Sequence, residues 1–322
     1  MAPTLGPTFG RLLISFVIDL IFYGVSLVLG LLYFHRFSQR DSLKTKAVAF
    51  FLILFSTIQV STFSAWIYNS FVDNFGDLES LNRLPLSTIV QLLADYIVSF
   101  IAQGFFVFQI WTFSRKNLWY TTPVAVLALV SIIAAMIQTV SVAMRSTVSG
   151  MDNRTDKILA ILQTSAAAAC DVLITSTLCF LLHSNRSGVK ATETIVDLLL
   201  AVIINRGLVT SITAVLSLIL YLSPSLQHTM TFMIPMNVNC QFYVISVIGS
   251  LNYRNHIRSS SSSKTQDLLD NTGTTDIIPL RNIGLGHSDE ANIRITMTPP
   301  FDDYQEREAQ GERKHDIKPT IR

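Results

Sequence analysis

Hydrophobic residues run along the chain in seven long stretches that short polar segments separate. The stretches cover about 12–34, 47–70, 86–111, 120–144, 158–183, 194–222 and 226–251. An α-helix rises 1.5 Å per residue, so about 20 residues cross the roughly 30 Å hydrocarbon layer of a bilayer. Lipid offers no partner to backbone N–H and C=O groups, which favours helices that satisfy these groups internally. The pattern therefore predicts an all-α fold, a bundle of seven transmembrane helices whose first partner is the lipid bilayer.

Charged residues are concentrated at the C-terminus. Residues 252–322 hold 21 of the 46 Asp, Glu, Lys and Arg residues and show no periodic apolar face. Such a segment buries too little apolar surface to fold alone. We therefore expect a short extracellular N-terminus at 1–11, a transmembrane domain at 12–251 and a disordered cytosolic tail at 252–322.

The tail carries candidate phosphorylation sites that could alter contact with a cytosolic partner or with lipid. These are Ser259, Ser260, Ser261, Ser262, Ser263 and Thr298. The alternative is a passive, solvated tail.

The basic residues of the loops predict the orientation of the bundle. One face carries 11 Lys and Arg residues in the loops after the first, third and fifth stretches and at the start of the tail, and the other face carries 5. Because short cytosolic loops are enriched in Lys and Arg, we expect an N-terminus outside and a C-terminus in the cytosol. The sequon at Asn153 would then face outward and could carry a glycan. We expect the plasma membrane, with other endomembranes as the alternative.

Four ionisable residues lie deep within the apolar stretches: Asp19, Asp95, Asp171 and Arg206. Placing such a group at mid-bilayer costs about 2.5–3.5 kcal/mol on insertion scales, so it usually faces a partner or a wet cavity. Arg206 lies about 17 Å along its helix from the loop that joins the fifth and sixth stretches, and Asp171 about 18 Å from the same loop. We therefore hypothesise an intramembrane ion pair of Asp171 with Arg206. The alternatives are that Arg206 reaches an interface or pairs with Asp95 or Asp19.

Other polar residues in the spans predict a polar cavity that could take a small-molecule ligand or an ion. Gln91, Asp95 and Ser99 follow one another at helical spacing, and Ser15 and Tyr23 flank Asp19 in the same way. In the last span, Pro235 is expected to bend the helix beside Asn237 and Asn239. The predicted cavity residues are Asp19, Gln91, Asp95, Ser99, Asn205, Asn237 and Asn239. The alternative is ordinary hydrogen bonding between helices.

The sequence gives no indication of catalytic or cofactor chemistry. It contains no His-Glu-x-x-His or Gly-x-Gly-Asp motif, no metal-ligand spacing, and no serine or cysteine near a histidine at membrane depth. We therefore expect no enzyme activity, no cofactor and no metal. Nucleic acid is not expected as a partner either.

A family resemblance is carried by four segments, FGRLLISFVIDLIFYGV (9–25), SAAAACDVLITSTLCFLL (165–182), INRGLVTS (204–211) and SVIGSLNYR (246–254). In order and spacing they resemble the multi-pass membrane proteins expanded in mushroom-forming fungi and catalogued as domain of unknown function 6534. The resemblance covers roughly 5–254 and implies seven helices and a membrane location, but no activity. Threonine often fills the middle of the family triplet that here reads Asn205-Arg206-Gly207, so the ion pair need not be shared across the family.

Two functions remain open from the sequence. Seven helices, an outside N-terminus and a cytosolic tail suggest receptor-like topology, although fold-level analogy is a poor guide to activity. Three deep Asp residues against one Arg would suit a transporter or channel for a cation, a proton or a small solute.

Overall fold

The computed structural model describes residues 5–37, 41–74, 84–145, 154–184, 190–223 and 230–271. It describes side chains within 10–36, 41–74, 84–145, 154–184, 203–223 and 230–253. The described residues form seven long helices and no strand. The helices are α1 Leu5–Leu32, α2 Leu43–Tyr68, α3 Leu86–Phe113, α4 Leu118–Arg145, α5 Arg154–Ser184, α6 Lys190–Leu222 and α7 Met233–Asn271. Each contains a segment long and apolar enough to cross a membrane, so the predicted fold class is confirmed.

Local sequence accounts for several helix ends. Ser42 has extended backbone angles, and its hydroxyl accepts a hydrogen bond from the backbone N–H of Thr45, so it caps α2. Pro85 precedes α3 in an extended conformation. Both α1 and α2 finish in a π-helical turn, at Tyr33–Phe37 and Asn69–Asp73.

The helices pack in sequence order, and α7 returns to pack against α1. α3 also contacts α5 and α7, so these three helices occupy the centre of the bundle. We call the end where α1, α3, α5 and α7 begin the N-terminal end of the bundle.

The inside of the bundle holds polar groups as well as apolar clusters, and its outside is apolar. Ser15, Asp19, Gln59 and Gln241 have no exposed surface, whereas many Leu, Ile and Val side chains point outward, among them Ile21 at 62% exposed. A water-soluble bundle would place these residues the other way round. This distribution is what lipid surroundings require, because lipid is as apolar as the leucine side chains that face it.

Apolar clusters close the bundle at both ends. Leu12, Phe63, Trp66 and Val142 belong to a cluster at the N-terminal end. A larger cluster fills the opposite half, where Phe106, Ile110, Ile174, Leu178, Val247 and Leu251 pack together.

One expectation about the ends of the chain needs correction. α7 continues to Asn271, so residues 252–271, which we expected to be disordered, are helical. At the other end, α1 begins at Leu5, and the extracellular placement of 1–11 stays a prediction. The rest of the predicted tail lies outside the described residues.

The predicted bend at Pro235 is also absent. α7 begins only at Met233, so Pro235 stands in the first turn, where a backbone N–H has no helical partner anyway. The carbonyl of Thr231 accepts a hydrogen bond from the N–H of Ile234 instead.

Candidate functional site

Arg206 and Asp171 form an ion pair inside the bundle. Nη2 of Arg206 donates to Oδ1 of Asp171 at 3.0 Å, and the side chains are 2% and 1% exposed. α5 and α6 are consecutive antiparallel helices, so residues equally far from their connection meet at the same height. The structure thus places in contact the two groups that the sequence analysis paired. Each charge offsets part of the cost of burying the other.

Two aromatic side chains complete the surroundings of this pair. The hydroxyl of Tyr243 on α7 donates to Oδ2 of Asp171 at 2.6 Å, and Cζ of Arg206 lies 3.8 Å from the ring centroid of Phe106 on α3. Within the described residues, Nε and Nη1 of Arg206 have no hydrogen-bond partner. The ring face of Phe106 therefore supplies attraction to the rest of the guanidinium. We call Asp171, Arg206, Tyr243 and Phe106 the charged centre, where α3, α5, α6 and α7 meet.

Close packing between α5 and α6 brings the ion pair together. Gly207 follows Arg206, and a methyl group on it would stand 2.9 Å from Cβ of Thr175. The Thr175 hydroxyl in turn donates to the carbonyl of Asp171 at 2.8 Å. Small residues at this contact let the helix backbones approach.

A second polar group lies between α1, α2 and α7, and we call it the Asp19 network. Gln59 Nε2 donates to Oδ2 of Asp19 and Gln241 Nε2 to Oδ1, each at 3.1 Å. Gln241 Nε2 also reaches Oε1 of Gln59 at 3.1 Å, and Gln241 Oε1 accepts from Ser26 and Ser56 at 3.2 and 3.0 Å. None of the five side chains is exposed. Neutral amides, and not a base, therefore satisfy the Asp19 carboxyl.

A third polar chain links α3, α7 and α1. Gln91 Nε2 donates to Oδ1 of Asn237 at 3.1 Å, and Asn237 Nδ2 donates to the hydroxyl of Ser15 at 3.1 Å. These contacts are buried hydrogen bonds between helices. They correspond to the alternative interpretation of the polar residues that the sequence analysis gave beside a cavity.

A cavity of about 110 Å³ lies between α3, α4, α5, α6 and α7 in the half of the bundle near its N-terminal end. It extends from Tyr243 to Leu92, Val142 and Tyr221 near the helix ends. Of the seven predicted cavity residues, Asp95, Ser99 and Asn239 line it. Asp95 is 8% exposed.

The remaining predicted cavity residues lie elsewhere. Asp19 belongs to its own network, and Gln91 and Asn237 bond to each other. Asn205 is exposed on the outer side of α6, so the expectation that it faces the cavity needs correction. It neighbours Arg206 in sequence, but a step of one residue turns a helix by about 100°, which carries it to another face.

The modification candidates lie at the edge of the described chain or beyond it. Asn153 and Thr298 fall outside the described residues. The five serines at 259–263 lie in the last part of α7, where side chains are not described.

Sequence reasoning missed four residues that hold the interior together. Gln59 and Gln241 are polar residues within apolar stretches, the same pattern that drew attention to Asp19. Tyr243 carried no distinguishing pattern. Asp156, at the start of α5, accepts from the Ser141 hydroxyl at 2.5 Å and lies 3.2 Å from Nη1 of Arg145.

Fold and interior together define an integral membrane protein with seven helices and polar groups buried among them. Residues 167–256 match the model of a family of unknown function, DUF6534, which supports the predicted resemblance over this part of the chain. The match runs from α5 into α7 and contains Asp171, Arg206 and Tyr243. No curated protein and no solved structure matches the chain.

Proposed function

We propose that this protein is a membrane receptor that binds a small molecule in the cavity. The N-terminal end of the bundle would face outward and the end of α7 would enter the cytosol. The contact that carries the proposal is the hydrogen bond from Tyr243 to Asp171, because Tyr243 also forms part of the cavity wall. One side chain thus joins the cavity to the charged centre.

A chain of contacting side chains would carry a ligand-induced change from the cavity towards the opposite end of the bundle. A ligand that moves the Tyr243 ring changes its bond to Asp171 and, through Asp171, the position of Arg206. These residues lie on α5, α6 and α7, which continue into the apolar cluster of the opposite half. Such a coupling needs two discrete arrangements that a ligand binds with different affinity.

A library screen on the full chain in nanodiscs tests the binding step. Compounds that raise the thermal unfolding temperature should lose their effect in Ala214→Phe, because Ala214 lines the cavity and is 6% exposed. Val215→Phe is the matched control, since Val215 is 51% exposed on the outer side. Hits that survive Ala214→Phe would contradict a ligand site in the cavity.

Hydrogen exchange on the same samples tests the coupling step. A hit should change amide exchange at 178–184 and 247–253 in the wild type and not in Tyr243→Phe, which keeps the ring and removes only the hydroxyl. A hit that binds and leaves these amides unchanged in the wild type would contradict the receptor proposal.

The alternative function is transport of a proton, a cation or a small solute. It is supported by Asp19, a fully buried acid held by neutral amides, and by Asp95 at the cavity. The apolar cluster in the opposite half argues against an open path in this conformation. Liposomes that contain a pH-sensitive dye separate the two functions. A proton or cation flux that the Asp95→Asn substitution reduces would favour transport. Equal flux in wild type, variant and empty liposomes would favour a receptor.

A further inference from the structure

The lining of the cavity has a definite charge and chemistry. Among the described residues that line it, Asp95 carries the only formal charge. Arg206 is not part of this lining, and it is held by Asp171 and stacked on Phe106. An anion would meet the Asp95 carboxylate and no compensating base on this lining, whereas a cation would gain a counter-ion in surroundings of low dielectric.

Aromatic rings surround the same space. Tyr96, Tyr221, Phe232 and Tyr243 all contribute to the wall. Their faces attract a cation by about 0.5–2 kcal/mol each, and Tyr offers a hydroxyl as well. Ser99 and Asn239 add neutral polar groups beside Asp95. A carboxylate together with several aromatic faces is the combination that recognises an organic ammonium group.

The size of the cavity limits the ligand. A dry cavity of about 150 Å³ accommodates benzene, so about 110 Å³ suits a body of roughly four or five heavy atoms. Tyr, Phe, Leu and Met side chains make most of this wall apolar. The body of the ligand should therefore be a compact hydrocarbon with one charged end.

We propose that the cavity binds a small primary or secondary ammonium compound, with Asp95 as its counter-ion and the rings of Tyr96, Tyr221 and Tyr243 around it. This assignment rests on the proposed function, because it names the ligand class of the same cavity.

Three probes of one shape and different charge test the proposal: cyclopentylamine, which is a cation at neutral pH, cyclopentanol and cyclopentanecarboxylate. Their binding to the full chain in nanodiscs is measured by equilibrium dialysis, with empty nanodiscs as the blank for partition into lipid. We expect the amine to bind at least tenfold more tightly than the alcohol and the carboxylate to show no binding.

Variants assign the preference to Asp95. Asp95→Asn should bring the amine within about twofold of the alcohol, and Asp19→Asn should leave the preference intact, since Asp19 is fully buried away from the cavity. Tyr221→Leu keeps all charges and should weaken the binding of the amine more than that of the alcohol. This variant tests the contribution of the aromatic rings even where Asp95→Asn does not fold.

The outcomes separate this inference from the receptor proposal. Equal binding of amine and alcohol, abolished by Ala214→Phe, overturns the ammonium assignment and leaves the cavity as a ligand site. An amine preference that persists in a folded Asp95→Asn variant also overturns the assignment. Absence of binding by all three probes overturns both the assignment and the use of this cavity.

Discussion

At the scale of single residues, the guanidinium of Arg206 shows how a bundle accommodates charge in hydrocarbon. Its partners come from three other helices: Asp171 on α5, Phe106 on α3 and Tyr243 through their shared carboxylate. A buried pair adds little net stability compared with an apolar pair, but breaking it leaves one charge uncompensated. This asymmetry makes the pair testable.

Removing either member of the pair should destabilise the bundle more than removing both. Arg206→Leu or Asp171→Leu each leaves a buried charge and should cost about 3–5 kcal/mol. The double variant Asp171→Leu with Arg206→Leu should cost less than either single variant, as measured by reversible unfolding in mixed detergent micelles. Additive losses would contradict direct pairing.

Gly207 should not tolerate even a methyl group. Gly207→Ala places Cβ against Thr175 and should cost about 1–3 kcal/mol by overpacking. Gly104→Ala is the matched control, because nothing lies within 4 Å of its new methyl group. Alanine is a better helix former than glycine by about 1 kcal/mol, so the control should be neutral or stabilising in the same unfolding measurement. Equal effects of the two substitutions would contradict the close contact.

At the scale of whole elements, α7 connects the polar groups of the interior. It contributes Asn237 to the chain that joins α3 and α1, Gln241 to the Asp19 network and Tyr243 to the charged centre. Asn237 and Gln241, four residues apart, share one side of this helix, and Tyr243 lies on another side. The helix packs against α1, α2, α3 and α6. A helix with neighbours on so many sides can carry polar residues on several of them without exposing these residues to lipid.

Gln241→Leu should weaken the attachment of α7 to α1 and α2. It removes one donor from Asp19 and the shared acceptor of Ser26 and Ser56, and each buried group left unsatisfied costs about 1–3 kcal/mol. Hydrogen exchange should rise in α1 and α7. Asn205→Leu makes a matched amide-to-leucine change on the outer side of α6 and should cause no loss of stability. If both variants lose the same stability, the Asp19 network does not hold these helices together.

The sequence predicted the seven helices well, but it predicted only in part which side of each helix points into the bundle. Length and apolarity determine that each stretch forms a helix, and equal distance from one loop brought Asp171 and Arg206 to the same height. Such reasoning fixes height along a helix but not rotation about it, which depends on packing against several neighbours at once. Asn205 was therefore assigned to the interior, and Tyr243 was overlooked because a buried tyrosine on α7 looks like any other apolar packing residue.

At the scale of the whole molecule, the seven helices differ from a soluble bundle chiefly in their exterior. Large apolar side chains cover the outside, while the interior holds hydrogen-bonded carboxyl, amide and hydroxyl groups beside apolar clusters. This distribution shows which side of each helix faces lipid, whereas the direction of insertion comes from the basic residues of the loops.

The glycosylation state of expressed protein tests that direction. With the N-terminus outside, Asn153 faces the lumen during synthesis, and the second sequon of the chain, Asn185-Arg186-Ser187, faces the cytosol. We expect that any glycan released by an amidase is absent in Asn153→Gln and unchanged in Asn185→Gln, as seen by gel mobility. A glycan that depends on Asn185 would reverse the orientation.

The contact between Arg206 and Asp171 also constrains how the protein is made. During biosynthesis α5 leaves the ribosome before α6, so the carboxyl of Asp171 is without its guanidinium until about 35 further residues have been synthesised. We expect the translocon to retain α5 until α6 arrives and to release the two as a hairpin. A nascent chain truncated before α6 should therefore remain crosslinkable to the translocon, whereas one that includes α6 should not.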